Sequence, residues 1–185
     1  MKCILLKEKT DYDGSQIASL WAYNNFGVQE DSIIVFRGAC NVKIEHMIDL
    51  EDRRQKEAIW AEDMLSFIIE HFDSRNLKLV YARQRLFTSI VQEYLAKSGI
   101  LTLREGDDLF WGGKKLTVSI ASTSAVSQKI HFGINVTHPV YGSLEEAGLK
   151  GEALNKLMRE LGKQYIREMA DIEKDLRKSR PLGVV

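Results

Sequence analysis

Lys114 and Lys115 follow a Gly112-Gly113 pair, and charge chemistry is most readily built there. A Gly-Gly pair can take the positive φ angles of a two-residue turn, so Phe110 to Lys115 reads as a hairpin. Side chains alternate across a strand, so the two lysines leave opposite faces and one of them can point inward. An inward ammonium is a compact cation able to meet a phosphate or a developing negative charge. Asp108, seven residues before Lys115, lies on the facing arm beside Asp107, and Gly133-Ile134-Asn135 sits in a later strand. A carboxylate, an ammonium and an amide are thereby expected on neighbouring strands. The competing reading is two solvated lysines guarding a hairpin, which is the ordinary fate of lysine.

Other reactive residue types offer less. His46, His71, His131 and His138 share no metal-ligand spacing, so no metal site is expected. His131 alternates with Phe132 on a strand and can line a pocket or serve a structural role. The serine-rich run from Ser119 to Ser127 contains no G-x-S-x-G elbow, which argues against a hydrolase. Cys3 and Cys40 stand alone, with neither disulfide nor thiolate-zinc spacing. Trp111 is expected to pack on the hairpin.

The elements that must position these residues are set by periodicity. Cys3 to Lys7 and Ser32 to Phe36 read as strands, and Asn41 to Ile44 continues or pairs with the latter. Ser15 to Phe26 reads as a helix closed by Gly27. Ala61, Met64, Leu65, Ile68, Ile69 and Phe72 recur at three and four residues, which predicts a helix started by Asp49 and Asp52. Leu77 to Tyr81 reads as a strand, and Gln84 to Lys97 as a helix stopped by Gly99. From Ile100 the pattern turns to strands, with Leu116 to Ala121 as the second hairpin arm and Lys129 to Val136 returning. Residues 152–179 form a C-terminal helix with Leu154, Leu157, Leu161, Tyr165, Met169, Ile172 and Leu176 along one stripe. The expected fold is α+β: a mixed, largely antiparallel sheet flanked by helices in one domain spanning 1–185.

Composition narrows the partners. Lysine plus arginine (26) equal aspartate plus glutamate (26), so there is no overall field to attract nucleic acid or an anionic membrane. Met1 to Glu8 holds an apolar run of four, too short for a leader or a span, and a reducing cytoplasm is the expected compartment.

Several of these pieces together resemble the catalytic domain of biotin protein ligases. In that family a stretch reading roughly Asn-Asp-Leu, a short turn, Lys-(Leu/Ile)-x-Gly-Ile and an apolar strand ending Gly-Ile-Asn forms the core of the site. Asp108-Leu109, Lys115-Leu116 and Phe132-Gly133-Ile134-Asn135-Val136 match in order and spacing. Pro139, Ser143 to Gly148 and the helix at Leu154, Leu157 and Leu161 resemble the segment after that strand in the same ligases. Ile33 to Val42 resembles the early strand pair of lipoate ligases. The chain is also similar to a small, largely archaeal family of uncharacterised proteins related to these ligases.

The resemblance implies a biotin/lipoate-ligase-like fold of class II synthetase type and binding or transfer of a carboxylated small molecule resembling biotin, lipoate or a fatty acid. ATP with Mg would be the cofactor, an acceptor protein a further partner, and a homo-oligomer a possible assembly. Lys115 would neutralise charge as the acyl carboxylate attacks the α-phosphate. Asp108, Gly133 and Asn135 would shape the nucleotide side, with Arg37 and Arg83 as additional phosphate contacts and His131 near the pocket. The sequence departs from the ligases in having no G-x-G or GGG; Arg83-Gln84-Arg85 stands in the nearest place. The alternative is therefore a non-catalytic binding or interaction module that has lost the nucleotide loop. The acyl group, the acceptor and the oligomeric state stay open at this level.

Overall fold

The structure is a computed structural model that describes residues 1–55, 58–180 and 182–183. Five strands make the main sheet: β1 (Lys2–Leu5), β2 (Ser32–Asn41), β3 (Trp60–His71), β7 (Thr117–Thr123) and β8 (Gln128–Thr137). Their order is β1-β2-β3-β8-β7; β1 runs parallel to β2 and the remaining pairs are antiparallel. A small second sheet joins β4 (Leu103–Glu105), β5 (Asp108–Trp111) and β6 (Lys114–Lys115). Mixed strands with helices against them give the expected α+β architecture.

β3 corrects the predicted helix. Its run Met64-Leu65-Ser66-Phe67-Ile68-Ile69 is buried on both faces at the centre of the sheet. A continuous apolar run fits a period of 3.6 as well as one of 2, so spacing alone could not separate them. Only α2 (Leu50–Gln55) is helical there, and Asp49 Oδ1 accepts from the amides of Glu51 and Asp52 at its start. Leu77 to Tyr81 is likewise not a strand but the first turns of α3 (Leu77–Lys97). Asn76 caps that helix through Leu79 N, and of those five residues only Val80 is buried.

The helix expected over Ser15 to Phe26 is interrupted. A single turn at Ser15–Ile17 precedes α1 (Trp21–Phe26), and Leu20 between them takes φ 61°. Its amide donates to the buried Glu70 carboxylate, an anchor that offsets the unfavourable backbone conformation. The hairpin forms as expected, with Gly112 and Gly113 at φ 57° and 77°. Its second arm is short. After Leu116 the chain leaves β6 and enters the main sheet as β7, rather than continuing the hairpin.

The two faces of the main sheet are covered differently. α3 and α4 (Glu152–Lys178) pack on one face, against Ile33, Val35, Leu65, Phe67, Ile69, Ile130, Phe132, Ile134 and Val136. The other face presents Ile34, Phe36, Met64, Ile68, His131 and Asn135, and is covered by residues 6–28, 42–55 and 58–59.

Candidate functional site

Alternation along β8 decides what the second face offers. Ile130, Phe132, Ile134 and Val136 face the helices, so Lys129, His131, Gly133 and Asn135 face the other way. Beside them stand Met64 on β3, paired to Asn135, and Val118 and Ile120 on β7, paired to Gly133 and His131. Gly133 keeps this floor low: a Cβ there would collide with Met64 Sδ and meet Val118 Cγ1 at 3.1 Å. Over the floor, residues 42–52 and 58–59 form a cover. Two adjoining cavities of about 120 and 50 Å³ lie between them and share Asp52, Ile59 and Val118, making one groove along the sheet.

The outer end of the groove holds Lys115, Thr117, Asn135, Trp60 and Tyr141. Lys115 Nζ pairs with Asp108 Oδ2 at 2.8 Å, and both side chains are partly exposed. Burial pushes the Asp108 carboxyl up from its ordinary range, against the pull of the Lys115 ammonium. Leu116 turns into the helix-side core while Lys115 turns to the groove, as alternation requires. Lys114 is more exposed and pairs with Glu146 at 3.0 Å. Asn135 Nδ2 donates to Gly142 O, and Gly142 N donates to Lys115 O, which ties the segment after β8 to the lysine strand. Above this end, Trp60, His138 and Tyr141 form an aromatic group, with ring centroids 4.7 and 4.6 Å from the central histidine. His138 Nδ1 accepts from the amides of Val140 and Tyr141, so the ring's other nitrogen donates to Trp60 O.

His131 and Tyr12 close the inner end. Their rings stack with centroids 3.5 Å apart, and His131 Nε2 lies 3.2 Å from Ser66 Oγ. Full burial lowers the His131 pKa to about 3, so the ring is neutral at physiological pH. Burial likewise pushes the Tyr12 phenol up. The pair separates the groove from Glu70, further along the same face. That carboxylate accepts from Leu20 N, Ser127 Oγ and Lys129 Nζ, the last at 3.1 Å, with Lys129 and Glu70 only 2% and 1% exposed.

The two arginines do not join Lys115. Arg37 belongs to the helix-side register of β2 and forms a bidentate pair with Asp63. Arg83 lies on α3, on the far side of the sheet, where it pairs with Asp73 and donates to Gln128. Close by, Asp31, His71 and Asp73 gather, but His71 uses one ring nitrogen on Asp31 and the other on Tyr165 Oη. Asp31 also accepts from Phe72 N. With these groups already bonded, the cluster ties β3 to α4. Lys115 is thus the one lysine or arginine lining the groove among the described residues. Tyr12, Trp60, Ser66 and Tyr141 escaped the sequence reading. Tyr12 and Tyr141 come from segments outside the regular pattern, and Trp60 and Ser66 sit in the strand misread as a helix.

The fold of this chain, a five-stranded sheet with two long helices on one face, is similar to that of solved biotin and lipoate protein ligases. Biotin protein ligase from Aquifex aeolicus in complex with biotin and ATP superposes with a TM-score of 0.55 at 16% identity, over 96% of this chain and 72% of that one. Ta0514 from T. acidophilum, a putative lipoate protein ligase with bound lipoic acid, gives 0.55 at 11%, over 90% and 86%. At such identities the likeness is one of fold. The chain itself belongs to the family described as "Domain of unknown function (DUF366)", whose model matches residues 1–180. The uncharacterized protein MJ0805 of Methanocaldococcus jannaschii is 44% identical over 98% of this chain and 86% of its own. A protein of unknown function from Pyrococcus horikoshi superposes with a TM-score of 0.93 at 38% identity, over 98% and 99%. Among the described residues no helix is long and apolar enough to cross a membrane.

Proposed function

We propose that the groove binds a carboxylated small molecule, with the carboxylate at Lys115 and the acyl chain laid inward along Val118, Ile120 and Met64. The observation that carries this reading is the Lys115–Asp108 pair at the mouth of a covered groove whose floor includes Met64, Val118 and Ile120. A partly exposed ion pair holds its lysine weakly, because surface pairs contribute only about 0–1 kcal/mol. A carboxylate arriving at Asn135 and Thr117 can therefore compete for the ammonium.

The residues present do not build the other half of a ligase site. ATP with Mg would need a cradle of closely approaching amides or several cations for its phosphates. The sequence has no G-x-G, and Arg37 and Arg83 are committed to carboxylates elsewhere. This favours a binding protein of ligase fold over an ATP-dependent ligase, and no adenylation step is derived for it. The second reading, acyl transfer through an acyl-adenylate to an acceptor protein, draws on the exposed Trp60–His138–Tyr141 group, which could stack a planar base beside Lys115.

Titration calorimetry with biotin, lipoate, octanoate and ATP-Mg, alone and paired, tests both. Lys115→Ala should weaken acid binding at least tenfold, whereas Lys114→Ala should change it less than twofold. Equal effects, or no binding by any acid, would sink the proposal. Nucleotide binding with acid-dependent pyrophosphate release would establish the second reading instead.

A further inference from the structure

The Gln84-Arg85 pair of α3 has no part in the groove, since neither residue lines it. Both reach instead to Asp107, the neighbour of the carboxylate that partners Lys115. Arg85 Nη1 donates to Asp107 Oδ1, and Gln84 Nε2 donates to Oδ2 at 2.8 Å. Ser119, in the helix-facing register of β7 opposite Phe132, donates its hydroxyl to the same oxygen at 2.6 Å and accepts from Gln84 at 2.7 Å. Gln84 is 1% exposed, and its Oε1 has no partner among the described residues. An unbonded buried acceptor is costly, so the two acceptors facing its nitrogen hold the amide in this orientation. Gly106 makes room for the arginine: a Cβ there would meet Arg85 Nη1 at 2.7 Å, and the glycine takes φ 64°.

Gly106 and Asp107 are the turn residues between β4 and β5, because Glu105 pairs directly with Asp108. β4 is exposed along its whole length, so the tip of this hairpin is held chiefly from α3. One residue beyond Asp108, Leu109 is buried and its amide donates to Thr117 Oγ1. Asp108 is thus fixed from both sides, with its carboxylate 2.8 Å from Lys115 Nζ. Resting on the reading that Lys115 takes a carboxylate, we infer that Arg85 and Gln84 are positioning residues, which act through Asp107 to fix Asp108 and so aim the Lys115 ammonium at the groove mouth. A partly exposed ion pair contributes little on its own. Here the Asp107 carboxylate collects three donors from α3 and β7, and a network of that kind restrains the chain more than its single bonds would. It also connects the helix-covered face of the sheet to the groove mouth on the other. Because Arg85 lines neither cavity, any effect it has on acid binding must travel through Asp107.

Two measurements on the full chain test this. The first needs no ligand: it follows the Lys115 Cε–Hε signal by heteronuclear NMR, assigned by its loss in Lys115→Arg. Asp108→Asn marks where that signal falls when the lysine has no carboxylate partner. Arg85→Ala should move the signal toward that position. Arg85→Lys should largely return it, because Arg85 uses a single nitrogen on Asp107 and a point charge can serve there. The second is calorimetric titration with octanoate, read as affinity per folded molecule. Arg85→Ala should weaken binding about three- to tenfold, the worth of a disturbed hydrogen-bonded contact. In an Asp108→Asn background the same substitution should change affinity less than about twofold, because the link it acts through is gone. If Arg85→Ala lowers stability but leaves the Lys115 signal and the affinity in place, Asp107 is only a structural tie and the inference falls. An equal loss of affinity in the Asp108→Asn background would also overturn it. If the signal moves and Arg85→Lys restores it, yet no acid binds the natural chain, the carboxylate reading fails while the positioning of Lys115 stands.

Discussion

The two faces of one sheet have been finished in opposite ways. On the helix side, Phe67, Phe87, Phe132 and Tyr165 interlock, with Phe87 at 5.2–5.3 Å ring-centroid distance from each of the other three. Long amphipathic helices bring complete apolar stripes to that face, and it seals. The groove side is roofed by loops, single turns and two six-residue helices. Short elements cannot present a continuous stripe, so polar groups enter the interior and cavities persist. One face is sealed by apolar side chains, and the other keeps polar groups and cavities in its interior.

Phe87→Ala gives the largest expected effect, because it removes the hub of the sealed face. A loss of about 3–5 kcal/mol in urea unfolding is expected, with little change in ligand affinity per folded molecule. A comparable loss of affinity per folded molecule would mean that the two faces are not separable. Lys129→Met should cost about 3 kcal/mol by leaving Glu70 buried and unpaired, and adding Glu70→Gln should recover part of it. No recovery in the double variant would show that the pair is not the source of the cost.

A pH effect on the groove side comes next, of similar or smaller size. His131 is held near 3 in the folded chain, while an unfolded histidine titrates near 6.5. As pH falls below about 6.5 the unfolded chain takes a proton that the folded one refuses, so stability drops on acidification. By pH 4 this amounts to on the order of 3 kcal/mol, and His131→Phe should flatten that part of the profile. Parallel profiles for the two proteins would show that His131 is not a buried neutral ring. Smallest is Val118→Ala on the groove floor. Val118 already borders empty space, so about 1 kcal/mol is expected, well below a sealed-face truncation.

The contrast also explains what the sequence could reveal. α4, the later part of α3 and the Gly-Gly hairpin depend on local periodicity or local φ, and all three emerge where expected. β3 did not, because a strand buried on both sides carries no alternation. The pairing of Lys115 with Asp108 was legible from the spacing across one hairpin, whereas Asn135, in the other sheet, was singled out through the family resemblance. Tyr12 arrives at His131 from more than a hundred residues away, on a segment with no period to read. Arg37 and Arg83 were plausible by residue type alone, and only the register of β2 and the placement of α3 show that they face away.

Gly133 has one further consequence, for engineering. The missing side chain and the Met64 sulfur occupy complementary space, so the floor behaves as a bump and its hole. Gly133→Ala alone should jam against Met64, while Met64→Ala alone should deepen the groove beneath Asn135. Combined, the two substitutions exchange which strand supplies the bulk, and so reshape the floor without emptying it.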